Sequence, residues 1–216
     1  MLTLKFNDLI PNTKAEAELK KKIEQYVYIM NIRDPMNKTF QDEFAKFYQL
    51  RGWNAASKRR SFFEYFNDLF VASKGTRITY ANVIDKFYPR NEKSFSSKIL
   101  HTIYPDKPII DQKVLAKLER DIDFKKDYPT PLLVKRKSGK DKYGKDKYNI
   151  IIGKDKVNDS KSFYCNLEAY YDILKSEPST ISYINDFNKW CKTPNININP
   201  SLISETKKID FWMWLA

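Results

Sequence analysis

The sequence predicts a mainly α-helical protein with one small β-hairpin insertion near residues 133–157. Three observations lead there. Apolar and aromatic residues recur at helical spacing through most of the 216 residues. Turn-forming residues fall between those segments: Asp34–Pro35, Gly52, Gly75, Pro89, Pro105 and the loop 194–200. One stretch, 135–159, departs from the pattern, with lysine, glycine and tyrosine around the strand-like "KYNIIIG".

The elements follow in order. Residues 14–30 place Ala17, Leu19, Ile23, Tyr26, Val27 and Met30 at near-helical intervals, and Asp34–Pro35 stops them. Residues 39–50 carry Phe40, Phe44, Phe47 and Tyr48 on one side, with Gly52 placed as a C-cap. Residues 57–71 repeat this through Phe62, Phe63, Phe66 and Phe70, and open on Lys58, Arg59 and Arg60. Cations at a helix start oppose its dipole, so this turn is read as an anion contact or a solvated basic turn. Residues 79–87 form a short helix before Pro89. Helices at 94–104 and 112–119 flank a crossing stiffened by Pro105 and Pro108. Helices follow over about 160–175 and over 179–192, the latter N-capped by Ser179 or Thr180. The closing "ETKKIDFWMWLA" is a short helix whose Phe211, Trp212 and Trp214 plug the core.

A hydrophobic content of 42% with 15% aromatics excludes a disordered basic tail. Lysine and arginine number 39 against 27 acids, a formal charge of +12. A globular chain this basic points to a polyanionic partner, DNA, RNA or an anionic membrane, or else is simply a soluble basic protein. Cys165 and Cys191 form no CxxC, and His101 is the only histidine. That excludes a cysteine zinc site or a four-cysteine cluster, so no metal and no cofactor are expected. Two cysteines, no signal-like N-terminus and no membrane-length apolar run predict a cytoplasmic protein.

The stretch "SFSSKILHTIYPDKPIIDQKV", residues 94–114, carries the candidate chemistry. On a helical wheel Phe95, Ile99, Leu100 and Ile103 form an apolar arc, and Lys98 lies just outside it. The lysine stem then packs while its amine reaches a groove. Partial desolvation lowers a lysine pKa, as a Schiff-base nucleophile needs. Asp111 arrives at the N-cap position of the next helix. Lys98 is read as a nucleophile, a DNA contact or a surface charge, and Asp111 as a catalytic carboxylate or a plain cap.

These residues resemble the catalytic region of the helix-hairpin-helix DNA glycosylase superfamily, in particular its bacterial 8-oxoguanine-glycosylase-like group. There a helix bears a lysine, and a proline-containing crossing leads to an aspartate that caps the following helix. Lys98 and Asp111 occupy those positions. "FQDEFAKFYQLRGW", "SFFEYFNDLF" and "KKIDFWMW" extend the resemblance over most of the chain. It implies a single domain over 1–216, in two helical lobes around a cleft, with a basic loop or hairpin inserted at 135–159. It implies excision of a damaged or modified base from double-stranded DNA by a monomer, with phage DNA in antiviral defence one setting. Asp111 would stabilise the sugar cation or activate water, and Lys98 would attack C1′ and give lyase activity. Trp53, Tyr48 and Tyr104 are candidates to stack on the flipped base.

The superfamily's hairpin glycine is missing, since the chain reads "YPRNEKSFSS" there, and the lysine-to-aspartate spacing is short. The start of the helix at Ser94, with Ser96 and Ser97, is the alternative phosphate site, flanked by Arg90 and Lys93. Lys140, Lys142, Lys145 and Lys147 in the inserted segment either track a phosphate backbone or form an exposed loop. The missing glycine favours an alternative, a non-catalytic nucleic-acid-binding module. A defence-associated interaction protein is another.

Overall fold

We describe residues 6, 10, 12–50, 56–86, 93–120, 133–140, 146–152 and 157–215 of a computed structural model. The architecture is mainly helical, in the order α1 (Thr13–Ile32), α2 (Lys38–Phe47), α3 (Ala56–Ala72), α4 (Tyr80–Asp85), α5 (Lys93–Ile103), α6 (Gln112–Arg120), β1 (Leu133–Lys140), β2 (Asp146–Ile152), α7 (Val157–Ser176), α8 (Pro178–Cys191), a 3₁₀ turn (Pro200–Leu202) and α9 (Glu205–Leu215).

Local chemistry sets these boundaries. Asn12 caps α1 by accepting from the Ala15 amide, and Asn37 caps α2 by accepting from Thr39 and Phe40. Thr79 and Asn82 form a reciprocal capping box on α4. α8 starts earlier than the sequence reading places it. Glu177 holds the cap position without a side-chain bond, and Pro178 supplies the preset φ of the first turn. α2 ends at Phe47, not beside Gly52, which lies outside the described residues. Gln49 takes the left-handed position (φ 51°) that glycine usually fills. The Leu50 amide reaches back to Ala45 and the Gln49 amide to Lys46, a Schellman closure.

The hairpin forms as expected. β1 and β2 pair antiparallel with Leu133 opposite Ile152 and Lys137 opposite Tyr148. The register is irregular between Lys137 and Gly139. Gly139 sits at φ 128°, a conformation that only glycine takes without strain. Ile152 is buried, and Lys93 Nζ donates to its carbonyl at 2.6 Å, which ties the hairpin to the start of α5.

Buried side chains from every described α-helix join one hydrophobic cluster. At its centre α5 departs from the amphipathic expectation, because every residue from Ser96 to Ile103 is buried. The apolar arc accounts only for Phe95, Ile99, Leu100 and Ile103, whereas here the Ser97, His101 and Thr102 side chains of α5 are buried as well, with internal partners. Ser97 Oγ donates to the Ser94 carbonyl and accepts from the Ile110 amide. Thr102 donates to the Lys98 carbonyl. His101 Nδ1 lies 2.6 Å from the Lys107 carbonyl and Nε2 lies 3.0 Å from the Tyr26 hydroxyl. A carbonyl only accepts, so Nδ1 carries the proton and Nε2 accepts from Tyr26. Burial, with the charge of Lys207, pulls the His101 pKa down to about 3 and keeps the ring neutral. Among the described residues no helix is long and apolar enough to cross a membrane.

Candidate active site

Lys98 and Asp111 meet at one cavity of about 260 Å³. α5 contributes Lys98, and the start of α6 contributes Asp111, Gln112 and Lys113. α1 contributes Lys22, the end of α2 contributes Phe47, Tyr48 and Gln49, and α9 contributes Trp214. Segments from both ends of the chain thus converge on the crossing between α5 and α6. That crossing is held firmly. The Ser97 hydroxyl accepts from Ile110, Tyr164 donates to the Pro108 carbonyl, and Ser204 and Thr206 donate to the carbonyls of Pro105 and Asp106.

Asp111 is half-buried and caps α6 with one oxygen, Oδ1, which accepts from Lys113 at 2.9 Å and Val114 at 2.8 Å. Among the described residues its other oxygen accepts no hydrogen bond, so the carboxylate can cap a helix and still face a ligand. The cap and the functional reading of Asp111 are therefore compatible in one geometry.

Lys98 is 7% exposed, and its amine lies 5.4 Å from the ring centres of both Tyr48 and Phe95. Burial pulls its pKa down to about 8, with Asp111 opposing and Lys207 assisting. Roughly one such amine in ten is neutral at pH 7, against well under one in a thousand for an ordinary lysine. A buried amine with a substantial neutral fraction is a competent nucleophile. The expected pair is thus brought together, with Lys98 deeper than a boundary position implies.

The other candidates divide. Tyr48 lines the cavity. Tyr104 does not, because its hydroxyl accepts from the Ile78 amide at 3.1 Å and holds the approach to α4. Ser96 and Ser97 are fully buried, which removes them as phosphate contacts. Ser94 is half-buried, and its carbonyl is engaged by Ser97. Lys93 binds the end of β2. Arg59 pairs with Asp42 and covers the Phe63 ring, and Arg60 pairs with Glu64 at 2.7 Å, so both basic groups have protein partners. Lys58 lies in the first turn of α3. Lys140 and Lys147 stand on the paired strands, which cross directly at Gly139–Lys147 and Lys140–Asp146. Trp53, Arg90, Lys142 and Lys145 lie outside the described residues.

Sequence reading missed Lys22, Lys113 and Trp214 at the cavity. Lys113 Nζ donates to the Trp214 carbonyl at 3.1 Å, and Lys22 Nζ lies 5.4 Å from the Trp214 ring centre. Burial and the nearby Lys113 lower the Lys22 pKa, a sign of concentrated positive charge at the site. No local motif announces these residues, since they are far apart in sequence and only the fold gathers them. Among the described residues no cluster of histidine, cysteine and acidic side chains is arranged to hold a metal ion. Comparisons with protein-family models, with curated proteins and with solved structures find no match to the chain.

Proposed function

We propose that the protein is a DNA glycosylase, a two-lobed helical enzyme that flips a damaged or modified base out of duplex DNA and cuts its N-glycosidic bond. The observation that carries this reading is the meeting of Lys98 and Asp111 in one aromatic-walled, lysine-rich cavity. The charge of +12 supports a polyanionic substrate, and Tyr48 and Trp214 offer ring surface to a base.

The chemistry follows from the groups present. As the bond from C1′ to the base lengthens, its electron pair leaves with the base and positive charge builds on the sugar. The Asp111 carboxylate, held by two backbone amides, faces that charge and stabilises it. The neutral Lys98 amine donates its lone pair to C1′, forming a C–N bond as the C1′–base bond breaks. The departing base takes up a proton from water, and the new ammonium returns one to water. Opening of the sugar ring then gives the Schiff base that precedes strand cleavage.

Release of free base from duplexes with oxidised purines, alkylated bases or modified phage pyrimidines tests the reading. Asp111→Asn should abolish release, because it removes the negative charge opposite the developing cation. It keeps a capping oxygen, so thermal stability and duplex affinity should stay within a few-fold of wild type. An Asp111→Asn protein that excises at the wild-type rate would overturn the role. A wild-type protein that binds duplex DNA but releases no base from any of them leaves the non-catalytic nucleic-acid-binding reading, which the missing hairpin glycine favours.

A further inference from the structure

We propose that Lys22 and Lys113 form a phosphate-binding rim at the mouth of the Lys98–Asp111 cavity, where they hold a backbone phosphate beside the flipped nucleotide. This inference deepens the glycosylase reading and rests on it. The cavity is graded in depth. Phe47, Tyr48 and Lys98 are buried and Asp111 is half-buried, whereas Lys22 and Lys113 are exposed. A nucleotide that turns its sugar and base towards Lys98 therefore leaves a phosphate at the level of Lys22 and Lys113.

The two lysines come from different helices, α1 and α6, and Trp214 of α9 gathers them. Lys113 Nζ donates to the Trp214 carbonyl at 3.1 Å, and Lys22 Nζ lies 5.4 Å from the centre of the Trp214 ring. Neither contact exhausts an ammonium, which has three N–H donors. The carbonyl takes one donor of Lys113, and the ring attracts the charge of Lys22 through its π face. Among the described residues neither amine forms an ion pair with a carboxylate. Elsewhere the chain does provide such partners, as in Lys38–Asp42 at 2.7 Å, Lys107–Glu168 at 2.9 Å and Lys161–Asp85 at 2.7 Å.

The cavity lining holds three lysines against one carboxylate, Asp111. The Oδ1 oxygen of Asp111 is taken by the amides of Lys113 and Val114. Two ammonium groups on one rim repel each other, and an anion between them is attracted to both. A phosphate diester suits this rim. It carries one negative charge on two unesterified oxygens, so each oxygen can accept a charge-assisted hydrogen bond from a different lysine. Lys22 and Lys113 then anchor the strand, while Lys98 and Asp111 address the sugar.

The test pairs a change in the protein with a change in the DNA. The probe is a duplex with a single tetrahydrofuran abasic-site analogue, which has neither a base to lose nor an aldehyde, so binding is read without chemistry. In two further duplexes the phosphate on one or the other side of the analogue is a neutral methylphosphonate. Wild-type protein should lose about tenfold in affinity on one of these two. Lys22→Gln/Lys113→Gln should bind the unmodified duplex about as weakly, and should lose no more on the methylphosphonate, because the contact is already gone. Both residues are exposed, and glutamine at 113 keeps a donor for the Trp214 carbonyl. Wild-type protein that is indifferent to both methylphosphonates overturns the proposal, whatever the variant does. So does a variant that keeps wild-type affinity, or one that still shows the full methylphosphonate loss. These readings do not depend on excision. The expected pattern with no base released from any duplex removes the glycosylase reading and leaves the phosphate rim. Base release without that pattern does the reverse.

Discussion

His101 and Lys98 lie three residues apart on α5 and meet burial in different ways. His101 is satisfied at both nitrogens and serves the core. His101→Leu would leave the Tyr26 hydroxyl and the Lys107 carbonyl without partners and should cost about 2–4 kcal/mol in chemical denaturation. The pH dependence has a definite sign. With a folded pKa of about 3 against an ordinary 6.5, the unfolded chain binds more protons between those values. The contribution of His101 is therefore complete above pH 6.5 and is lost as pH falls towards 3. The variant should show a flatter stability profile across that window. Lys98 has the same direction at higher pH. With about 8 folded against an ordinary 10.5, the unfolded chain binds more protons between those values, so stability rises with pH there. Lys98→Met should remove that rise, which denaturation midpoints between pH 8 and 10 will read.

At the scale of elements, the hairpin β1–β2 is the most basic segment without an assigned task. If it grips phosphates, neutralising Lys140, Lys142, Lys145 and Lys147 together should weaken duplex binding alike on all sequences. The slope of log affinity against log salt should become shallower by about one for each phosphate no longer neutralised. Equal slopes for wild type and variant would move the DNA-binding surface elsewhere, with Lys22 and Lys113 the next candidates. The helices themselves were legible because their apolar residues recur at 3–4-residue intervals, and the start of α6 because Asp111 caps it, whereas the caps Asn37 and Thr79 emerge only in the fold. The hairpin was legible from its glycines and "KYNIIIG". The burial of α5 was not, because a wheel cannot know that Ser97 will meet Ile110 or that His101 will meet Tyr26 and Lys107. Asp111 was legible as a local cap after a proline-stiffened crossing. Lys22, Lys113 and Trp214 were not, because only packing across the whole chain gathers them at one cavity.

Over the whole molecule, the net charge of +12 and one aromatic-rich cluster describe a basic body built around an apolar, aromatic core. Three lysines and one aspartate line the cavity. Attack on a sugar carbon needs a neutral amine, and the burial of Lys98 favours that form. The most direct test needs no knowledge of the natural base. A duplex with a single aldehydic abasic site, incubated with the protein and borohydride, traps any Schiff base as a stable adduct. The account predicts a covalent complex mapping to the peptide that contains Lys98. Its rate of formation should rise with pH towards about 8, and it should vanish in Lys98→Gln. An adduct on another lysine, or undiminished trapping in Lys98→Gln, would contradict it.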